Sequence, residues 1–301
     1  MPHFLFEIGF EEMPARFLAG LTEEIRTLFT EALAQAKIEA GPVAAFATPR
    51  RLVASVPGLA AVSRREEVVV TGPPEKVGFD AAGKPTAAAV GFAKGQGLDV
   101  ADVFLQETGK GRYLALRKTT GGESAVDLLS AICPEVVRKL SFPKRMRWGS
   151  REFAFGRPVH WFLALLDDQV VPFTLDDISS DRTTRGHRIM GPGPFSVPAA
   201  PDYFAIIRDQ GKVVLDARER ESLVRSQAET LAREAGGSAV INPGLLTEVT
   251  GLSEHPVVIL GRIDPKFLQV PREVLITSMA LAMSCIQKDR KRTERQILSQ
   301  M

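Results

Sequence analysis

The chain has 301 residues, 45% hydrophobic and 25% charged, which is long enough for one large or two ordinary domains of standard globular composition. Its formal charge of +2, from 38 basic and 36 acidic residues, excludes an argument for nucleic-acid binding from net charge. Any such affinity has to come from local patches.

Phe4–Gly9 alternates and is rich in aromatics, the pattern of a strand, and Pro14 then opens a helix with Leu18, Leu21, Ile25, Leu28 and Ala32 on one face. A second strand is expected around Val43–Val56. Val68–Val70 leads into a turn at Gly72-Pro73-Pro74, and Gly83-Lys84-Pro85 starts a short alanine-rich helix to about Lys94. Val103–Gln106 and Tyr113–Lys118 read as a hairpin. The Gly109-Lys110-Gly111 between them is not a phosphate loop, because it lacks the spacing and the following helix. A helix is expected over Ser124–Leu140, interrupted at Pro134. Val159–Leu166 and Val170–Thr174 flank Asp167-Asp168-Gln169 as a second hairpin. From Pro201 the character changes to helix: Asp216 and Glu219 form a capping box, Val224, Ala228, Leu231 and Ala235 make an apolar face, and Gly236-Gly237 ends it. Val257–Leu260 is a last strand, and Pro271 starts a helix through Met283. These elements predict an α+β fold with mixed or antiparallel sheets and flanking helices, and Gly191-Pro192-Gly193-Pro194 marks the best domain boundary.

The densest chemistry lies at 138–161. Arg138, Lys144, Arg145, Arg147, Arg151 and Arg157 are interleaved with Phe142, Trp148, Phe153, Phe155 and Trp161, and Glu152 is the one acid between Lys144 and Arg157. Guanidinium groups pair with phosphates and aromatic faces stack on bases, so the pattern suits a surface that holds RNA. It equally suits a β-rich core segment with snorkelling arginines on its rim. Thr183-Thr184-Arg185-Gly186-His187-Arg188 offers cations, a hydroxyl and an imidazole around a glycine. That combination suits a sugar-phosphate contact or, alternatively, a strand bulged at Gly186. The RNA-binding candidates are therefore Lys144, Arg145, Arg147, Trp148, Arg157, His160, Arg185, His187 and Arg188.

Catalytic signatures are missing. His3, His160, His187 and His255 have no metal-ligand spacing, Cys133 and Cys285 stand far apart as expected of reduced thiols, and there is no Gly-x-Ser-x-Gly elbow. No metal ligand and no catalytic residue is assigned. Asp167-Asp168 and Asp176-Asp177 read as turn residues, and Glu11-Glu12 as carboxylates at the positive end of a helix. No apolar run approaches the eighteen or so residues of a membrane helix, and the start lacks a signal-peptide pattern, so a cytoplasmic location away from membranes is expected.

An ordered series of short segments carries a resemblance: Phe4 to Pro14, Ala47-Thr48-Pro49-Arg50-Arg51-Leu52, Gly72-Pro73-Pro74, Gly83-Lys84-Pro85-Thr86, Met146-Arg147-Trp148-Gly149, Arg157-Pro158-Val159-His160, Thr184 to Arg188, Pro256-Val257-Val258 and Phe267 to Pro271. Over about residues 3–279 the chain resembles the bacterial glycyl-tRNA synthetase β subunit. It departs from the usual Thr and Leu of that family at Phe10 and Met13. The resemblance implies the N-terminal part of the non-catalytic half of a glycine-tRNA ligase, contributing to tRNA(Gly) binding and to assembly with a catalytic α subunit in a heterotetramer. ATP and Mg would then be used on the α subunit and no cofactor bound by this chain, which alone would be inactive. A truncated, free-standing RNA-binding module without ligase activity is the alternative. Part of the family's β chain resembles the B3/B4 domain of phenylalanyl-tRNA synthetase, and Arg157–His160 is faintly similar to it. That is a fold clue only, since a size sieve against amino acids larger than glycine has little to do.

The expected organisation is an α+β region at 1–193 holding the basic-aromatic block, a helix-rich α+β region at 194–284, and a divergent basic tail at 285–301. The tail is expected to be a poorly packed helix or coil that leaves Ile276 and Met279 short of cover.

Overall fold

The structure is a computed structural model. It describes the backbone of residues 1–80, 83–109, 111–261, 264–281, 284–289 and 295–300, and the side chains of these up to residue 278 except that of Leu268. The chain forms two compact units: Met1–Ala61 with Val126–Met301, and Val62–Ala125.

The first unit opens with β1 (Phe4–Phe10), α1 (Ala15–Gln35), β2 (Ala44–Thr48) and β3 (Arg51–Val56). The single strand expected over 43–56 is thus a hairpin, folded back at Pro49-Arg50. The second unit holds β4 (Glu66–Pro74), α2 (Glu75–Gly78), α3 (Ala87–Gly95), β5 (Phe104–Thr108) and β6 (Gly111–Thr120). The first unit resumes with α4 (Ala125–Lys139), β7 (Val159–Leu166), β8 (Gln169–Val170), β9 (Thr174–Leu175), β10 (Ile178–Asp181), β11 (Thr183–Thr184), β12 (Phe195–Ser196) and α5 (Tyr203–Asp209). It then runs through α6 (Ala217–Glu234), β13 (Gly237–Val240), α7 (Pro243–Leu252), β14 (Val257–Gly261), α8 (Arg272–Leu281), β15 (Ser284–Asp289) and β16 (Arg295–Gln300). The fold is α+β.

The principal sheet has the order β2-β3-β1-β7-β10-β9, with β8 paired to β7; β10 runs parallel to β7 and the other pairings are antiparallel. Every residue of β1 and β3 is buried, so both faces are covered. On one face Phe4 and Phe6 meet Phe29 of α1 edge-on, at ring-centroid distances of 5.5 and 5.3 Å. On the other, Leu5, Val53, Leu163 and Leu165 pack against Val197, Tyr203, Ile207 and Leu215. α1 buries Leu18, Leu21, Ile25, Phe29 and Leu33. Leu28 and Ala32 of the predicted face instead line a cavity of about 380 Å³ with Leu128, Ile132 and Val136 of α4. α4 continues through Pro134 without a break.

The second unit is a β4-β6-β5 antiparallel sheet with α2 and α3. The predicted hairpin is β5–β6, paired from Phe104↔Ala115 to Thr108↔Gly111. Gly72 and Gly78 let Phe92 and Leu114 close on the backbone, since a Cβ there would lie 2.6 and 2.4 Å from those side chains. The ends of the unit are tied together: Ser63 N donates to Glu123 O (2.9 Å), Gly122 N to Ser63 O (3.0 Å) and Glu123 N to Ser63 Oγ (3.1 Å).

A second core lies under α6, where Val224, Ala228 and Ala232 meet Leu246 and Val258. Asp216 caps α6 through Arg218 N, but the reciprocal half of the expected capping box is not made, because Glu219 pairs with Arg208. The sheet beside it has the order β13-β15-β16-β14. The helix or coil expected after Ser284 is therefore replaced by two strands, whose open backbone groups pair with β13 and β14. Side-chain burial of Met279, Ile286 and Leu298 lies outside the described residues. Ile276 is 37% exposed. The Gly191–Pro194 stretch lies between β11 and β12, inside the first unit.

Candidate nucleic-acid interface

Alternation along β1 puts Phe4, Phe6, Ile8 and Phe10 toward α1, and so turns Glu7 and Gly9 to the opposite face with Leu5. Register then makes a row across three strands: Arg51 of β3, Gly9 of β1 and Trp161 of β7 are direct partners. Gly9 is required there, since a Cβ would sit 2.0 to 2.2 Å from the Trp161 indole carbons. The Arg51 guanidinium lies 5.9 Å from the centre of the same indole.

Glu7 is fully buried beside this row and accepts four hydrogen bonds. Arg51 Nη1 (2.9 Å) and Tyr203 Oη (3.0 Å) reach Oε1, while Thr184 Oγ1 (2.6 Å) and Trp161 Nε1 (3.2 Å) reach Oε2. Arg51 Nε donates to Glu254 Oε1 at 3.0 Å, Thr48 Oγ1 donates to the same oxygen at 2.6 Å, and Arg51 Nη1 also donates to the Arg185 carbonyl at 2.6 Å. Burial works against the Arg51 charge, but Glu254 and Glu7 outweigh it and hold the guanidinium protonated. Burial likewise pushes the Glu254 carboxyl up, yet Arg51, Thr48 and Arg50 leave it below its ordinary range. Burial and the Glu7 carboxylate raise the Tyr203 hydroxyl, so it remains a donor. Among the described residues Arg220 of α6 bonds only carbonyls, those of Ala47, Val214, Leu215 and Thr250, and burial draws it down to about 10.

This network anchors an exposed layer. The segment 183–188 runs over it, with the Thr184 side chain and Arg185 carbonyl bonded below and the Arg185 guanidinium 5.7 Å over Trp161. Arg185 is exposed and has no carboxylate partner among the described residues. Arg188 Nη2 donates to Glu11 Oε2 at 2.7 Å and its Nη1 lies 3.5 Å from Glu12 Oε1. His160 Nε2 lies 3.0 Å from Glu11 Oε1, and Arg157 Nε donates to the Glu12 carbonyl at 3.0 Å. Arg157, His160, Arg185 and Arg188 thus gather at the end of β1.

Two expectations about this layer change. Glu11 and Glu12 do not serve the dipole of α1, whose first turn begins at Ala15 and holds no acid; they face Arg188 and His160 instead. Gly186 admits its own chain rather than a ligand, because a Cβ there would meet Gly191 O at 2.1 Å and Gly211 Cα at 2.4 Å. His187 N donates to Gly211 O at 2.7 Å, and His187 Nδ1 accepts from Ile189 N (3.3 Å) and Met190 N (3.2 Å). Nδ1 is therefore unprotonated. Burial, with His255, Arg50 and Arg51 adding to it against Glu254, lowers the ring's pKa.

The remaining candidates form a separate loop. Met146 and Phe155 exchange backbone hydrogen bonds and close it, Phe142 packs on Gly156, and Arg151 lies 5.5 Å over Trp148 while pairing with Asp177. Arg147 Nε donates to Glu152 O at 3.1 Å. Arg145 donates to the Leu140 and Arg138 carbonyls at the end of α4. Lys144, Arg145 and Arg147 are exposed and Trp148 is half-buried.

Sequence reasoning missed the buried polar set: Glu7, Thr48, Arg51, Tyr203, Arg220 and Glu254. One signal was available, a carboxylate inside the apolar run Phe4–Phe10, on a strand with two covered faces. Among the described residues, no three His, Cys, Asp or Glu side chains are grouped to hold a metal, and no helix is long and apolar enough to cross a membrane.

Comparison with known proteins bears on the same residues. The family model described as glycyl-tRNA synthetase beta subunit matches residues 4–293. A glycine–tRNA ligase beta subunit of Solidesulfovibrio magneticus is 77% identical over 279 residues, which are 93% of this chain and 40% of that relative. The proteins of the same description from Nitratidesulfovibrio vulgaris (Miyazaki F) and Geobacter metallireducens are 50% and 41% identical, again over 93% of this chain and 40% of each relative. The chain thus spans about 40% of the length of the curated relatives it matches.

Proposed function

Since the chain belongs to the glycyl-tRNA synthetase beta subunit family, we propose that it handles tRNA(Gly) and assembles with a separate catalytic α subunit in the ATP-dependent attachment of glycine to tRNA. One observation carries this reading. Segments far apart in sequence, 4–14, 47–52, 157–160 and 183–188, converge on a buried ionic network, and Arg157, Arg185, Arg188 and His160 gather beside it at one partly exposed place. Guanidinium groups beside an aromatic ring suit phosphate and base contacts, and the network beneath orders the backbone that carries Arg185 before binding. The loop with Lys144, Arg147 and Trp148 supplies a second basic-aromatic element of the same chemistry. Adenylate chemistry with ATP and Mg belongs, in this proposal, to the α subunit, in a heterotetramer located in the cytoplasm.

Three measurements test it. Filter binding of tRNA(Gly) across a salt series is expected to give a negative slope that flattens in Arg185→Glu/Arg188→Glu, as phosphate contacts are lost. An unchanged slope would remove these residues from the interface. Co-expression with an α subunit is expected to restore glycylation, whereas the isolated chain should show no glycine-dependent pyrophosphate exchange. Exchange by the isolated chain would overturn the division of labour. RNA binding without α-subunit association would favour a free-standing RNA-binding module.

A further inference from the structure

Three of the basic residues at the end of β1, Arg157, His160 and Arg188, are already engaged. Glu11 puts one carboxylate oxygen on Arg188 (2.7 Å) and the other on His160 (3.0 Å), and Glu12 places its side chain near Arg188 at 3.5 Å and its carbonyl on Arg157 at 3.0 Å. The charges of Arg157 and Arg188 are thus matched by those of Glu11 and Glu12, and these two arginines offer a polyanion little net attraction while both carboxylates stay in place. A carboxylate spanning two donors through its two oxygens has the arrangement with which a phosphodiester presents its two non-bridging oxygens.

We propose that the Glu11 carboxylate is a built-in stand-in for an RNA phosphate, held by Arg188 and His160 in the free protein and exchanged for a phosphodiester on binding. The inference rests on the tRNA-handling reading above. Three features favour exchange over a permanent structural bridge. First, the side chains of Arg188, Glu11 and His160 are 52%, 41% and 40% exposed, a range in which an ion pair contributes little and gives way readily. Second, the backbone around Glu11 is pinned independently of its side chain: Phe10 N donates to Arg50 O, Glu11 N to Pro158 O and Met13 N to Pro49 O, at 2.9, 2.9 and 2.7 Å. The carboxylate can therefore swing out without moving β1. Third, the arms that carry the donors stay put when it leaves. Arg188 follows the tight Gly186–Gly191–Gly211 backbone contact, and His160 is on β7 next to Trp161, which is locked against Gly9. Arg185, without a carboxylate partner among the described residues, offers the first charge an RNA would meet beside the exchangeable pair. Such an arrangement adds selectivity, because a lone small anion must displace the carboxylate unaided, whereas RNA does so with its other contacts already made.

The test is a double-mutant cycle on the full chain: tRNA(Gly) affinity of wild type, Glu11→Gln, Arg188→Ala and the double variant, at two salt concentrations. Glu11→Gln is expected to tighten binding about two- to fivefold, the range set by removal of an exposed pair. It should also steepen the salt dependence. Arg188→Ala should weaken binding, and the gain from Glu11→Gln should vanish in the double variant. If Arg188→Ala weakens binding but Glu11→Gln weakens it too or leaves it unchanged, Glu11 organises the site rather than competing for it; the inference falls while the tRNA reading stands. If neither wild type nor Glu11→Gln binds tRNA, both fall. Binding seen only with Glu11→Gln would support the inference in its strongest form.

Discussion

Glu7 shows what a single buried carboxylate can organise, with four donors from four different segments on its two oxygens. Replacing it by Gln turns one acceptor into a donor facing donors and leaves Arg51 without part of its compensation. Glu7→Gln is expected to lower unfolding free energy by about 3–5 kcal/mol, measured by urea titration. Gly9→Ala should cost about 1–3 kcal/mol and change Trp161 fluorescence, because the new methyl occupies the place of the indole. The histidines set a pH dependence of definite sign. Burial lowers the pKa of His3 and of His187 below the ordinary 6.5, so the unfolded chain binds more protons in that range. Stability is expected to fall as pH drops from about 6.5 toward the folded-state values and to be flat above it, apart from other groups. His187→Asn keeps an acceptor for the Ile189 and Met190 N–H groups and should remove its share of the dependence. Of these residues the sequence announced the exposed cations, because charge patterning is local. It did not announce their order of importance, because Glu7, Arg51 and Glu254 acquire their roles only when three distant segments meet.

Among the elements, the long periodic ones were legible and the non-local ones were not. α6 follows from its apolar spacing, and β1 from its alternation; α1 was found with Leu18, Leu21 and Ile25 of its face in place and the last two positions displaced by one residue, since Phe29 and Leu33 are buried and Leu28 and Ala32 line the cavity beside α4. The strands β15 and β16 were missed. Of their pairing partners, β13 is separated from β15 by α7 and α8, and β14 from β16 by α8, and a run of mixed charge near 288–295 carries no alternation of its own. α4 offers a test at this scale. Arg145 donates to the carbonyls of Leu140 and Arg138 at its end, and Arg145→Ala should cost about 0.5–1 kcal/mol of stability. If its role is this cap, tRNA affinity should change less than with Arg188→Ala; a larger loss of affinity than of stability would move Arg145 into the interface.

For the molecule as a whole, the linear reading of regions 1–193 and 194–284 could not represent what the chain does, which is to interrupt one unit with another. Composition shifts mark boundaries along a sequence, but Ala61 and Val126 belong to one compact unit although Val62–Ala125 separates them. The knot of bonds between Ser63 and residues 122 and 123 bears on how such a chain finds its fold. If Val62–Ala125 folds first, its clasped ends turn a long excursion into a short bridge, and β1–β3 are delivered to β7 with most of the loop-closure entropy already spent. Pulse-labelled hydrogen exchange should then protect amides of β4–β6 before those of β1 and β7. Loosening the clasp with Ser63→Gly should slow the second phase far more than it speeds unfolding. Simultaneous protection of both units would show that the clasp is a product of assembly and not its guide.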